Sequence, residues 1–348
     1  MFFSSDNAGP AHPKVIDAVL QANTGHAPGY GADAFTNTAR TQVRDVFEAP
    51  NAAVDFVING TSANALLLAT MSNPWDTIFC ADVAHIQEDE CNAPEFYSQA
   101  KLTLVPSVDG KMSPDALRTK IEAEQNRGVH GPQRGPLSIT QVTEKGTIYT
   151  LDEIRALTDV AREFGMKTHL DGARFANAMV ALDCTAAEMS WKAGVDTVSF
   201  GGTKNGALGV EACVIFDPDL AWEFELRRKR GGHLLSKHRY LAAQMQGYLA
   251  DDLWLDMARA ANARCAQLAT GLRAHSGLTI NSDPQANIIF FDMARREHKR
   301  MLDGGAFYYV LSGDPQAGDP NELLTGRLVT DWSVTADAVQ QFIDLLHG

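Results

Sequence analysis

The apolar and polar positions of this chain keep one rhythm from about residue 54 to 216 and another beyond 235. In the first stretch, short apolar runs at 54–58, 77–81, 102–105, 137–141, 167–170, 197–200 and 212–216 read as strands. Segments 63–71, 114–124 and 151–164 read as helices between them, the last with Leu, Ile and Val on one face. This alternation predicts an α/β fold on a mostly parallel, doubly wound sheet. Beyond 235 come long helices at 240–249 and 253–275, strand-like pieces at 287–293 and 324–331, and a closing helix at 336–346. The change predicts an N-terminal arm and large α/β domain over residues 1–235, and a smaller α+β domain over 236–348. Gly- and Pro-containing patches at 126–136 and 312–320 read as loops. No internal repeat or low-complexity linker interrupts the pattern.

Composition narrows the class. The chain has 348 residues, 45% of them hydrophobic and 21% charged, which is ordinary for a soluble protein with room for two domains. A formal charge of −13, with basic residues concentrated only at Arg227–Arg230, argues against nucleic acid as the main partner, because neutralising phosphates needs a basic face. Five cysteines without CxxC spacing fit reduced thiols better than disulfides or a zinc site. The first residues lack a signal-peptide pattern, and no stretch approaches the roughly 20 apolar residues of a membrane span. The expectation is a cytoplasmic protein without a membrane or metal partner.

Two strand ends carry the candidate chemistry. Asp171, in His169-Leu170-Asp171-Gly172-Ala173-Arg174, and Lys204, in Gly201-Gly202-Thr203-Lys204-Asn205-Gly206, each follow an apolar run. Strand, helix and strand fill the interval, so both emerge at one edge of a parallel sheet. An amine that holds a carbonyl cofactor, paired with a carboxylate that keeps a pyridine nitrogen protonated, points to pyridoxal phosphate. Gly60-Thr61-Ser62 lies where a strand passes into a helix and forms a candidate phosphate cup, although a plain N-cap uses the same residues. His85 follows another strand, placed to lie over a cofactor ring or move a proton. Glu88, Asp89 and Glu90 just beyond it read as a solvated helical turn. Arg174 is in reach of the cofactor's phenolic oxygen or of the substrate.

Taken in order, these stretches resemble the low-specificity L-threonine aldolase family of fold-type I pyridoxal phosphate enzymes, near its phenylserine-cleaving members. Ser5-Asp6-Asn7, Tyr30-Gly31-Ala32-Asp33, Asn59 to Asn64, Ala84-His85, Thr203 to Gly206 and Arg327-Leu328-Val329-Thr330 extend the likeness over nearly the whole chain. The resemblance implies that Lys204 carries pyridoxal 5'-phosphate covalently, Asp171 pairs with its ring nitrogen, His85 stacks on the ring, and Gly60 and Thr61 hold the phosphate. It implies that Arg327, with Ser5, binds the substrate carboxylate, and that Tyr30 comes from a neighbouring subunit of a homodimer or homotetramer. The phosphate contact from the segment 229–239 is assigned to Lys237.

Two places depart from the family pattern. Where relatives carry Glu-Asn-Thr-His before a glycine, this chain has Gln141-Val142-Thr143-Glu144-Lys145-Gly146, which changes the surroundings of the substrate's β-substituent. His130 stands roughly where a histidine contacts the β-hydroxyl. The expected reaction is reversible cleavage of L-threonine, L-allo-threonine or L-phenylserine to glycine and an aldehyde, with His85, His130 or a water between them as base. A β-eliminating lyase or aminotransferase on the same scaffold is the alternative within the cofactor class. Outside it stands a non-catalytic binding protein, against which the joint presence of Lys204, Asp171, His85 and Arg327 argues.

Overall fold

The computed structural model describes residues 1–124 and 126–348. The chain runs through α1 (Pro13–Ala22), α2 (Ala34–Val46), β1 (Ala53–Val57), α3 (Gly60–Thr70), β2 (Asp76–Ala81), α4 (His85–Glu88), α5 (Ala93–Ser98) and β3 (Lys101–Val105). A short hairpin, β4 (Ser107–Val108) and β5 (Lys111–Met112), leads to α6 (Pro114–Ala123), β6 (Gln133–Thr140), α7 (Leu151–Glu163), β7 (Thr168–Gly172), α8 (Phe175–Leu182), β8 (Thr197–Gly201) and β9 (Glu211–Ile215). The rest comprises α9 (Ala221–Arg230), α10 (Arg239–Leu249), α11 (Leu253–Arg273), β10 (Leu278–Ile280), β11 (Ile288–Ala294), α12 (Arg295–Asp303), β12 (Tyr309–Val310), β13 (Leu323–Val329) and α13 (Ala336–His347).

Seven strands build the large sheet in the order β1-β9-β8-β7-β6-β2-β3. Every pairing from β8 to β3 is parallel, and β9 alone runs against both its neighbours. The carboxyl ends of β7 and β8 therefore share an edge with the first residue of β9, and Gly201 pairs with Glu211 there. Ligands of open α/β sheets bind at this kind of edge.

Local chemistry sets the boundaries. Thr150 and Glu153 form a reciprocal capping box that starts α7. Asn59 caps α3, its Oδ1 accepting from Ser62 N at 2.8 Å, so Gly60, Thr61 and Ser62 form the first helical turn rather than a loop before it. The segment 126–136, read as a loop, is strand from Gln133 onward. Gly135 permits this: a Cβ there would lie 2.7 Å from Thr77 O. The β2–β6 register shifts between Thr77 and Phe79, an irregularity that accommodates Pro136.

Phe47, Phe175 and Phe200 form an aromatic floor, with centroids 5.3 and 5.4 Å apart and the Phe200 ring edge-on to the other two. All three are fully buried, worth roughly 1.5–3 kcal/mol each in removed apolar surface. Phe175 follows Arg174 and Phe200 precedes Gly201, so the floor ties together the two segments that carry the candidate chemistry. The second sheet, β10-β11-β13-β12, is antiparallel and has its own core with α11 and α13. Phe3 joins that core through Phe3 N to Phe307 O and Val329 N to Phe3 O, both 2.8 Å. Tyr248, Trp254 and Met257 belong instead to the large core. The pattern change at 235/236 is thus not the division between cores: α10 and the first turns of α11 pack on the large sheet, because their apolar faces meet Phe200.

Candidate active site

A cavity of about 310 Å³ opens at the carboxyl edge of the large sheet. Asn59, Gly60 and Thr61 come from the start of α3, His85 from α4, Asp171 from the end of β7, and Lys204 from the turn after β8. Asn64, Glu90 and Glu211 complete its polar wall. The sheet thus brings together Lys204, Asp171, His85, Gly60 and Thr61, as the motif order predicts. A larger groove, about 890 Å³ between the β4–β5 hairpin, the start of α7 and the 282–285 loop, contains none of these residues.

Asn64 organises this wall. Its Nδ2 donates to Asp171 Oδ2 and to Glu90 Oε1, both at 2.9 Å. Its Oδ1 accepts from Ser199 Oγ at 2.7 Å and from His169 Nε2 at 3.1 Å. Burial pushes His169 down to about 4, so the ring is neutral near pH 7 and this tautomer is consistent with its partners. Asp171 Oδ1 accepts from Ala173 N at 3.1 Å. The carboxylate is therefore aimed by fixed donors before any ligand arrives.

Glu90 corrects the sequence reading. It is buried rather than solvated, and its Oε1 lies 2.7 Å from His85 Nδ1. The chain leaves α4 after one turn and passes through left-handed Cys91 and Asn92, which turns Glu90 inward. Burial alone would lower His85, but the Glu90 hydrogen bond and the nearby Asp171 and Glu144 carboxylates hold it above its ordinary value of 6.5. With Nδ1 engaged, Nε2 is the nitrogen left for proton transfer.

A second cluster adjoins the first. Arg174 is locked to Asp6, Nε to Oδ2 at 2.6 Å and Nη2 to Oδ1 at 3.0 Å, and Asn287 Nδ2 donates to Asp6 Oδ2 at 3.1 Å. Despite burial, Arg174 and Lys204 hold Asp6 below the usual carboxylate value. Arg327, on β13, donates through Nη2 to Ser4 O at 3.2 Å, while its Nε is buried without a partner. Burial and the neighbouring Arg174 guanidinium both push Arg327 below an arginine's usual value. Two guanidinium groups with a donor left over mark a place for an anion. Ser5 stands in the chain between Ser4 and Asp6, which contact the two arginines, and its Oγ accepts from Asn7 N at 3.1 Å.

Three expected residues belong neither to the cavity of their own chain nor to the cluster beside it. His130 ends an exposed turn just before β6, on the edge opposite Asp171. An eight-residue strand separates the two edges, roughly 25 Å at the rise of a parallel strand, so His130 is not the base in this chain's cavity. Lys237 sits in an exposed turn before α10 and does not line the cavity. Tyr30 is 55% exposed, with Lys229 Nζ 4.6 Å over its ring. The loop signalled by Gln141 does contribute: Gln141 bonds Tyr149 through both amide ends, closing the loop, and Glu144 then acts electrostatically on His85, Arg174 and Arg327.

The pattern also hid Asn64, Glu90, Asp6 and Glu211. Asn64 had a usable signal, a polar side chain within α3, whose residues Ser62 to Thr70 are all buried. Glu211 had a similar one, opening a strand otherwise apolar.

Comparison with known proteins agrees with this geometry. The family described as Beta-eliminating lyase matches residues 3–296. The low specificity L-threonine aldolase of Pseudomonas aeruginosa is 38% identical over 341 residues, 97% of this chain and 95% of that protein. The low specificity L-threonine aldolase of Pseudomonas sp. (strain NCIMB 10558) is 39% identical over 313 residues, 89% of each. The solved structure of Leishmania major threonine aldolase superposes with a TM-score of 0.92 at 26% identity, covering 99% of this chain and 98% of that one.

The residues present fit pyridoxal phosphate. A Cβ on Gly60 would meet no atom within 4 Å, leaving open space above the exposed amides of α3 for an anion, and Lys204 and Asp171 stand on the same cavity. The chain belongs to the low-specificity L-threonine aldolases of the beta-eliminating lyase family, pyridoxal phosphate-dependent enzymes of fold-type I.

Proposed function

We propose that this enzyme reversibly cleaves L-β-hydroxy-α-amino acids, L-threonine, L-allo-threonine and L-phenylserine among them, to glycine and an aldehyde. The supporting observation is the His85–Glu90 pair, a proton-accepting imidazole on the same cavity as Lys204 and beside the Arg174–Arg327 cluster. Pyridoxal phosphate, bound through Lys204, supplies an electron sink for the bond broken at Cα. Arg327, with Ser5 and Arg174, binds the substrate carboxylate and thereby selects which Cα bond is broken. His85 Nε2 takes the β-hydroxyl proton, and Glu90 stabilises the imidazolium that results. Asn64 holds Asp171 toward the cofactor's ring nitrogen.

Among the described residues the cavity of one chain is lined by Asp89, Glu90, Asp171 and Glu211 but, apart from His85, by only Lys204 as a cation, which is a poor match to a phosphate dianion. We assign the missing charge to a second copy of the chain, with Lys237 reaching the phosphate and Tyr30 the substrate of its neighbour, in a homodimer or a homotetramer. Among the described residues no helix is long and apolar enough to cross a membrane, and the cytoplasm is the proposed location.

Aldehyde release from the three amino acids tests the reaction. Pyruvate with ammonia, or amino transfer without aldehyde, favours elimination or transamination, a reading that the family's description keeps in view. Loss of the bound cofactor's absorbance in Lys204→Ala tests the attachment.

A further inference from the structure

Glu211 opens β9, and because that strand runs against its neighbours, its first residue stands on the cavity beside Asp171 and Lys204. The side chain is buried, 5% exposed, and the remainder of β9 is apolar. Sheet packing at this place asks for no carboxyl. Oε2 accepts from Gly202 N at 2.8 Å, and the Thr203 hydroxyl donates to the same carboxyl. Thr203 Oγ1 itself accepts from Val210 N at 3.2 Å, so its hydrogen is free for Glu211. Both donors are neutral, and both immediately precede Lys204.

The groups facing Glu211 come from several elements. Lys204 lies after β8, Asp171 ends β7, the Tyr248 hydroxyl comes from α10, and Cys213 shares its strand. His85 and Glu90 line the same cavity. Burial, helped by Asp171, pushes Glu211 up to about 7 against the pull of its two hydrogen bonds and of Lys204.

We propose that Glu211 is a positioning residue for Lys204: ionised, its carboxylate stabilises the protonated Lys204 nitrogen, and protonated, it withdraws that support. This rests on Lys204 as the cofactor's attachment point. The carboxyl exchanges its proton with solvent through the cavity and makes no covalent bond. Above neutrality the site therefore gains a negative charge beside the nitrogen that must exchange partners when substrate arrives.

The test is an absorbance titration of the cofactor-loaded enzyme, wild type against Glu211→Gln. Glutamine keeps the size and still accepts from Gly202 and Thr203, but carries no charge. The midpoint at which the bound cofactor's absorbance changes is expected to fall by about one pH unit or more in the variant, the size of a nearby opposite charge. Coincident midpoints overturn the proposal. Should the variant fail to fold, carbon-13 NMR of the wild-type Glu211 carboxyl decides: a change of state between about pH 6 and 8 supports the proposal, and a signal constant over that range overturns it. Cofactor absorbance that persists in Lys204→Ala removes both readings. A Lys204-dependent absorbance with coincident midpoints removes only the role of Glu211.

Discussion

Glu90 Oε1 stands 2.7 Å from His85 Nδ1, and Glu90 is the buried member of the pair. The carboxylate fixes which imidazole nitrogen is free and stabilises the charged ring. Because His85 is raised in the folded protein, its extra stabilisation is fully present below about pH 6.5 and is lost as pH rises through the folded value. Glu90→Gln removes the charge and keeps the shape. Its limb in the pH profile of kcat/KM is expected to move to lower pH, with a loss of roughly 10²-fold at the optimum. An unmoved limb would show that His85 is not the titrating group.

Asp6 and Arg174 form a pair with side chains 1% and 8% exposed. Removing one partner leaves the other charge buried, so Arg174→Ala is expected to lose about 3–5 kcal/mol of stability at pH 7 in urea unfolding. Asp6 is depressed on folding, so its contribution is present above the ordinary carboxylate value of 3.8 and fades as pH falls through the folded value. The cost of Asp6→Asn should accordingly shrink in acid.

Arg327 keeps a buried Nε without a partner, and a lysine there would offer a point charge in place of a planar fork. Arg327→Lys is expected to raise KM for the amino acid by roughly 10–100-fold, the loss of one charge-assisted hydrogen bond, with cofactor content unchanged. Equal KM values would place the carboxylate elsewhere.

Gly201 closes β8, just before the turn that carries Lys204 and against the end of β7 that carries Asp171. A Cβ there would sit 2.5 Å from Ala173 O and 2.8 Å from Gly172 O, both backbone atoms. Gly201→Ala is expected to cost about 1–3 kcal/mol and to weaken cofactor retention by separating β7 from β8. Thermal melting with and without cofactor measures both effects.

Much of the site was legible because a parallel sheet gathers its strand ends, so Asp171, Lys204 and His85 announce themselves as polar residues closing apolar runs. Gly60 and Thr61 follow the same logic. Glu90 was not legible, since three consecutive acids look alike until the chain's exit from α4 selects one for burial. His130 misled because nearness in sequence to β6 says nothing about which end of that strand faces the site. The strand in 133–136 was hidden by Gly and Pro, whose tolerance there depends on Thr77 of the neighbouring strand.

The reversal of β9 also has a mechanical side. Residues 202–210 do not cross over the sheet; they fold back between two strands that are hydrogen-bonded to each other from Thr197–Ile215 to Gly201–Glu211. Asn205 anchors the turn through Tyr248 Oη at 2.9 Å and Trp254 O at 2.8 Å, while Gly202 N and Ala207 N close it from within. Lys204 is therefore mounted on a short span clamped at both ends, whose ordering entropy was spent when the sheet formed. Only its side chain is left to swing, and the hydrogen-bonded amides of Gly202, Asn205 and Ala207 should exchange hydrogen no faster than the turn itself opens.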